Sequence, residues 1–346
     1  MSIYIRSTIT ALKTSKKIEF LMNEKILVTG ATGFIGSHLT ELLVEQGYNV
    51  IAFDRYNSNN NWGWLDHSKV KNHIEVILGD IRDYDSVYKS MIGCGAVFHL
   101  AALIGIPYSY VSPLAYIRTN IEGTYNVLEA SKNQNLENIL ITSTSETYGS
   151  AQYTPIDENH PLVGQSPYSA SKIAADQIAN SYYNSFNLPI KIVRPFNTYG
   201  PRQSARAIIP TVIGQFLHGS KEIKVGNLSP IRDLTYVKDT VLGFTSIFES
   251  DKLFGKVTNI GMNEKISIGN LIDKIKNIMD VTTKVVQDRN RIRPEKSEVD
   301  ELNCDNTKLI KYTKWKPNYS LDIGLKETIE WIRDNLSFFK PNEYNI

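Results

Sequence analysis

"KILVTGATGFIG", residues 25–36, decides how the rest of this chain folds. Ile26, Leu27 and Val28 are apolar without alternation, the pattern of a strand buried on both faces. Three glycines follow, Gly30, Gly33 and Gly36. Gly30 permits a tight turn, Gly33 lets the backbone approach a pyrophosphate, and Gly36 lets the next helix pack closely on the strand. "IGSHLTELLVEQG" continues as that helix, with Leu39, Leu42 and Leu43 on one face and Gly47 as its stop. Its N-terminus offers free N–H groups and a partial positive charge to phosphates. The next strand, "YNVIAFD", ends at Asp54, 18 positions after Gly36. A carboxylate there accepts bonds from ribose hydroxyls and repels a 2′-phosphate, so NAD is predicted over NADP despite the adjacent Arg55. The glycines alone fit any tight strand–helix turn with a surface Asp; the flanks make the dinucleotide reading.

The pattern repeats outward. "IEVILGD", a helix from about Asp83, "GAVFHLAA", the long helix "AYIRTNIEGTYNVLEASKNQ", the strand "NILITSTS", the helix "SPYSASKIAADQIANSYYNSF" and the strand "IKIVRPFN" follow in turn. Strands and helices alternating through short links predict an α/β fold: a Rossmann-like, doubly wound parallel sheet. After Asn197 prolines punctuate the chain and the segments loosen, although "KISIGNLIDKIKNIM" and "LDIGLKETIEWIRDNL" read as helices. The predicted organisation has three parts. Residues 1–23 form a poorly ordered N-terminal extension or precede a true start at Met22. Residues 24–197 form the NAD-binding domain. Residues 198–346 form a smaller, loop-rich substrate lobe, with the stretch 232–262 returning to the sheet. Trp62 and Trp64 in the Asn-rich loop "YNSNNNWGWLD" either cover a pocket edge or simply pack.

Bulk composition excludes several classes. A net charge of +2 carries no strong footprint for nucleic acid or a membrane surface. No apolar run reaches membrane-span length. Two distant cysteines, Cys94 and Cys304, argue against a disulfide scaffold or a zinc site, and no metal is expected. They fit a reducing compartment, so a cytoplasmic location is expected.

Ligands in doubly wound sheets bind beyond the carboxyl ends of the strands. The polar residues there are Thr142 to Glu146, then Tyr168 and Lys172, then Arg194 and Asn197. Tyr168 and Lys172 stand four apart and share a helix face. A tyrosine ionises near pH 10, and two nearby cations, an ammonium and an oxidised nicotinamide, would favour its phenolate. By themselves the two residues also fit an ordinary amphipathic helix pair. Asp80 and Ile81, closing the third strand, are placed beside the adenine. Arg202, Arg206, Arg232 and Arg293 in the looser lobe suit an anionic small ligand by bidentate bonding; Arg202 and Arg206 fit surface salt bridges equally well. His99 reads as structural and Trp315 as core.

Together "GATGFIG", "HLAAL", "STSETYG", "PYSASK", "VRPFNTYGPRQ" and "IRDLTYVKD" resemble the extended short-chain dehydrogenase/reductases that act on nucleotide sugars, over about residues 24–335. "HLAALIGIPYSY", "GQSPYSASKIAADQ" and "RQSARAIIPT" look most like the NAD-dependent 4,6-dehydratases of nucleotide-activated N-acetylglucosamine in legionaminic acid biosynthesis. The resemblance implies cofactor contacts at Gly30, Thr32, Gly33, Phe34, Ile35, Gly36, Asp54, Asp80, Ile81, Leu100, Ala101, Ala102, Tyr168 and Lys172. It implies catalytic roles for Thr144, Glu146, Tyr168 and Lys172, and substrate contacts at Ser145, Asn197, Arg206, Arg232 and Arg293. Glu146 discriminates: sugar 4-epimerases of this family typically carry small residues there, whereas dehydration needs a base for the C5 proton. Many glucose-type dehydratases have Asp-Glu where this chain has Ser145-Glu146, so a separate acid for the departing hydroxyl is missing. Thr-Ser-Glu also occurs in nucleotide-glucuronate decarboxylases, the alternative reading. The expected partner is a UDP- or GDP-activated N-acetylhexosamine. A homodimer is expected through "AYIRTNIEGTYNVLEA" and the Tyr168 helix, with Ala170, Ala174 and Ala175 permitting close packing.

Overall fold

The computed structural model describes residues 24–340, and the predicted N-terminal extension lies outside the described residues. Its centre is a sheet of seven parallel strands. In chain order they are β1 (Lys25–Thr29), β2 (Asn49–Arg55), β3 (Ile74–Gly79), β4 (Cys94–His99), β5 (Asn138–Thr142), β6 (Ile190–Pro195) and β7 (Val257–Ile260). Their spatial order is β7-β6-β5-β4-β1-β2-β3. The order reverses between β1 and β4, which leaves a crevice at their carboxyl ends.

Both faces of the sheet are buried, which explains the unbroken apolar strands. Ile26 and Val28 enter one core with Leu39 and Leu43 of helix α1 (Phe34–Glu45), while Leu27 enters another with Val127 and Leu128 of α2 (Gly123–Asn133) and Ala179 of α3 (Pro167–Phe186). Helix α4 (Val237–Phe248) contributes Val241, Phe244 and Ile247 to the first core. The chain thus leaves the sheet after β6 and returns through α4 and β7. A separate core, around Ile213, Leu271 and Leu325, holds together the helices Ile208–Leu217, Ile268–Met279 and Leu321–Asp334.

The long helix read from residue 115 departs from α geometry. Residues Ile117–Glu122 form a π-helical segment ahead of α2. The cause is local. Asn120 is drawn inward, where its amide donates to the Leu103 carbonyl at 2.9 Å and its side-chain oxygen accepts from Leu103 N–H at 2.8 Å. Gly123 faces Ile81, whose Cδ1 would stand 2.6 Å from any Cβ placed there. Widening the helix by one residue per turn meets both demands.

Candidate active site

On the cofactor side the backbone does most of the shaping. Gly30 has φ +72°, and a Cβ on it would lie 2.8 Å from the Ala101 nitrogen, so the loops after β1 and β4 meet only because this residue has no side chain. At Gly36 a Cβ would stand 2.0 Å from the Gly30 carbonyl oxygen. Gly33 caps α1 without any side-chain cap, which leaves first-turn N–H groups open to an anion. Asp54 holds this loop: its Oδ2 accepts from Thr32 N–H at 2.8 Å and from Thr32 Oγ at 2.5 Å. Ile35 packs on the first core, and Phe34 meets the His38 ring edge-on. Leu100 N–H donates to the Thr29 carbonyl, while Ala101, beside Ala102, donates from its N–H to the Thr29 hydroxyl. Ile81 is buried against Gly123, whereas Asp80 pairs at 2.5 Å with Arg82, which holds its carboxyl below the usual range. An uncapped helix start, a glycine cradle and an acid at the end of β2 fit a dinucleotide.

His99 is buried between two hydroxyls. Its Nδ1 lies 2.8 Å from Thr29 Oγ1 and its Nε2 3.1 Å from Thr124 Oγ1. Burial pushes it down to about 3, so it stays neutral and ties β4 to β1 and α2. Trp315 is buried, with its indole N–H on the Asp239 carbonyl at 2.9 Å. Trp64 packs edge-on against both Trp331 and Phe338 at 5.3 Å and lines a cleft with Phe34, so it packs and covers an edge at once.

The catalytic candidates converge at the end of β5. A single turn of 3-10 helix, Ser145–Tyr148, follows, capped by Thr144, whose hydroxyl accepts from Glu146 N–H at 3.3 Å. That turn buries Ser145 and leaves Glu146 half-buried, and no hydrogen bond engages the Glu146 carboxylate among the described residues. Helix α3 begins at a reciprocal cap, Ser166 with Ser169, and Pro167 fills its first position. Tyr168 therefore sits in the first turn, where its phenol lies near the Thr144 hydroxyl and its ring meets Tyr116 edge-on at 6.2 Å. Lys172 is buried one turn on and donates to the Thr142 carbonyl at 2.5 Å.

Burial dominates the electrostatics of the pair. Burial pushes the Tyr168 phenol well above its usual value; the Thr144 hydroxyl beside it lowers it in part, and the Glu146 carboxylate raises it further. The Lys172 ammonium uses one of its three N–H donors on the Thr142 carbonyl. Burial brings Lys172 itself down to about 8, against the opposing pull of Asp176.

The substrate candidates face the same place from the other lobe. Arg232 is buried, donates to the Ile231 carbonyl at 2.9 Å and to Glu298 at 3.4 Å, and is close enough to Glu146 for the two charges to interact. Arg293 Nη1 lies 3.6 Å from the same Glu298 oxygen, buried and with no hydrogen-bond partner among the described residues. Two guanidinium groups thus share one carboxylate, leaving positive charge for an anion. Asn197 Oδ1 is likewise buried and unpartnered among the described residues. Arg206 is exposed and near the Tyr116 phenol. Arg202 takes the salt-bridge reading: it forks onto Glu41 at 2.9 and 3.0 Å and donates to Ser37, fastening α1 to the loop after Pro201.

Sequence reading missed Glu298, which sits in a mixed charge run with nothing to single it out, and Asp176, whose importance is visible only once α3 packs on β5 and β6. The spacing of Asp176, one turn beyond Lys172, was the available signal.

A doubly wound sheet with this cradle, a buried Tyr–Lys pair and a facing acid defines an NAD-dependent enzyme of nucleotide-sugar chemistry. The chain belongs to the family described as GDP-mannose 4,6 dehydratase, which matches residues 27–328. It is 31% identical to a UDP-N-acetyl-alpha-D-glucosaminuronate decarboxylase of Bacillus cytotoxicus, over 90% of this chain and 99% of that one. A dTDP-glucose 4,6-dehydratase of Streptomyces venezuelae, solved with NAD bound, superposes with a TM-score of 0.83 at 26% identity, over 92% and 99% of the two chains. A UDP-N-acetylglucosamine 4-epimerase of Methanobrevibacter ruminantium superposes with a TM-score of 0.80 at 28% identity, over 90% and 99%. The cofactor is NAD.

Proposed function

We propose that the protein is a nucleotide-sugar 4,6-dehydratase that converts UDP- or GDP-N-acetylglucosamine to its 4-keto-6-deoxy derivative with loss of one water. The observation that carries this reading is Glu146: an acid on the turn after β5, near both Tyr168 and Arg232, with its carboxylate unengaged by hydrogen bonds among the described residues. Epimerisation at C4 has no use for a carboxylate there, whereas elimination across C5 and C6 requires a base.

NAD, when bound on the cradle, supplies the reversible removal of hydrogen from C4 and its return at C6. Thr144 and Tyr168 hold the C4 hydroxyl, and Tyr168 accepts its proton, with Lys172 fixing the strand end beside it. Glu146 removes the C5 proton, which the C4 ketone has made acidic, and delivers it to the C6 hydroxyl, which leaves as water. The proton taken by Tyr168 balances the one restored at C5. Ser145 at most orients. Arg232, Arg293 and Asn197 hold the diphosphate and sugar, with Arg206 at the rim. In this reading residues 24–197 are the NAD domain, 198–346 are mainly the substrate lobe, and the protein works in legionaminic acid synthesis in the cytoplasm.

The working unit of this reading is a homodimer. Val111, Leu114, Ile117 and Tyr125 are at least 46% exposed along the helical stretch before and within α2, and Phe186 is 53% exposed at the end of α3. Such a row on neighbouring helices suits a second copy of the chain. Ala175 is fully buried within its own subunit and drops out of that surface.

A decarboxylase of nucleotide-hexuronates is the second reading, favoured by the Bacillus cytotoxicus relative. Mass spectrometry of products separates the two: loss of water supports dehydration, release of carbon dioxide from a uronate overturns it, and unchanged mass with inverted C4 points to an epimerase. Glu146→Gln should retain C4 oxidation, seen as accumulating NADH absorbance, while water loss falls about a thousandfold. Full dehydration by that variant removes Glu146 from its role.

A further inference from the structure

Behind the Tyr168–Lys172 pair lies a buried charge cluster centred on the Asp176–Arg194 ion pair. We infer that Asp176 is a positioning residue for C4 oxidation: its carboxylate locks the end of β5 to helix α3 and holds a fixed negative charge behind the Tyr168–Lys172 pair. Asp176 Oδ2 accepts from Ser143 Oγ at 2.6 Å and from an Arg194 guanidinium nitrogen at 2.6 Å. Ser143 immediately precedes Thr144, so the residue whose hydroxyl faces Tyr168 is anchored one position away. Arg194 also reaches Ser143 at 3.3 Å and lies over the Tyr148 ring at 4.6 Å, which pins the far end of the turn that carries Glu146. Every member of the cluster is at most 3% exposed.

Replacing such a buried ion pair by apolar side chains of equal volume often leaves stability unchanged or raises it, so core packing alone does not explain the pair. Its position does. The charged and titratable groups around Asp176 are Tyr168 and Lys172 on its own helix, Arg194 on β6, and Glu146 and Tyr148 on the turn after β5; His99 on β4 feels Lys172 and stays neutral. The Asp176 carboxylate raises the affinity of both Tyr168 and Lys172 for protons. Arg194 offsets part of this. The balance keeps Lys172 an ammonium at neutral pH although burial opposes it.

This inference rests on the proposed reading only in requiring that Tyr168 and Lys172 serve oxidation at C4. The readout is therefore the single-turnover rise of NADH absorbance as a function of pH, run in parallel with UDP-N-acetylglucosamine and with its C6 uronate and read on whichever of the two is oxidised. That step is common to dehydratase, decarboxylase and epimerase, so product identity can fail without touching the result. Asp176→Asn keeps the shape and can still accept from Ser143. Both limbs of its pH–rate profile should move to lower pH by about one unit. Arg194→Gln should move both limbs upward. A purely structural role lowers the melting temperature and the amplitude at every pH while leaving the limbs in place. Unmoved limbs in either folded variant overturn the inference, as does movement of both variants in the same direction.

Discussion

At Gly36 one added carbon would lie 2.0 Å from a carbonyl oxygen, whereas at Arg293 a guanidinium nitrogen sits buried 3.6 Å from the nearest carboxylate with no hydrogen bond among the described residues. The cofactor cradle is backbone against backbone, assembled from a continuous stretch between Gly30 and Asp54 plus the loop after β4. The substrate side is side chain against side chain, gathered from segments near residues 146, 197, 232 and 293–298. A backbone site tolerates almost no substitution, because no rotamer can move out of the way. A side-chain site can be retuned one charge at a time. The difference suits a scaffold shared by relatives named for dehydration, decarboxylation and epimerisation: the cofactor half is geometrically closed, and the half that holds the charged side chains is not.

The sharpest way to break this contrast is Gly36→Ala. Overpacking against the Gly30 carbonyl should cost about 2–3 kcal/mol and abolish co-purification of NAD, checked by calorimetry and by nucleotide absorbance of the denatured protein. A variant that keeps its nucleotide would show the cradle to be looser than its contacts imply. Next come Arg232→Gln and Arg293→Gln. Each should raise KM for the nucleotide sugar roughly ten- to a hundredfold with kcat changed far less, since on the proposed reading each removes a charge-assisted contact to the diphosphate. A fall in kcat alone would move these arginines out of binding.

The pH dependence sharpens the comparison further. Lys172 is protonated below about 8, so the C4 oxidation rate should fall tenfold per unit above that point. Stability should move oppositely. The unfolded chain holds this proton up to about 10.4, so between about 8 and that value it binds more protons than the folded protein, and unfolding should become harder as pH rises through the window. Denaturant titrations at pH 8 and pH 10, read after allowance for other titrating groups, test the sign. The smallest effect is expected at Arg202→Ala. Losing its fork on Glu41 should lower the melting temperature by about 2 °C and leave KM unchanged; a raised KM would return Arg202 to the substrate side.

Much of this was legible without coordinates where the physics is local. The unbroken apolar run at Ile26–Val28 implied a strand buried on both faces, and Gly30, Gly33, Gly36 and Asp54 implied a dinucleotide, because backbone clearance and strand-end position follow from sequence spacing alone. The four-residue interval of Tyr168 and Lys172 put them on one helix face. Three things were decided only by packing. Lys172 donates to the Thr142 carbonyl from inside the core, and burial pushes the Tyr168 phenol up. Asn120 and Gly123 widen the helix where they meet Leu103 and Ile81. Glu298 joins Arg232 to Arg293, and Asp176 joins Ser143 to Arg194, across 66, 5, 33 and 18 positions of chain. Desolvation and long-range charge pairing depend on which surfaces meet, and that is a property of the assembled fold rather than of any stretch of residues.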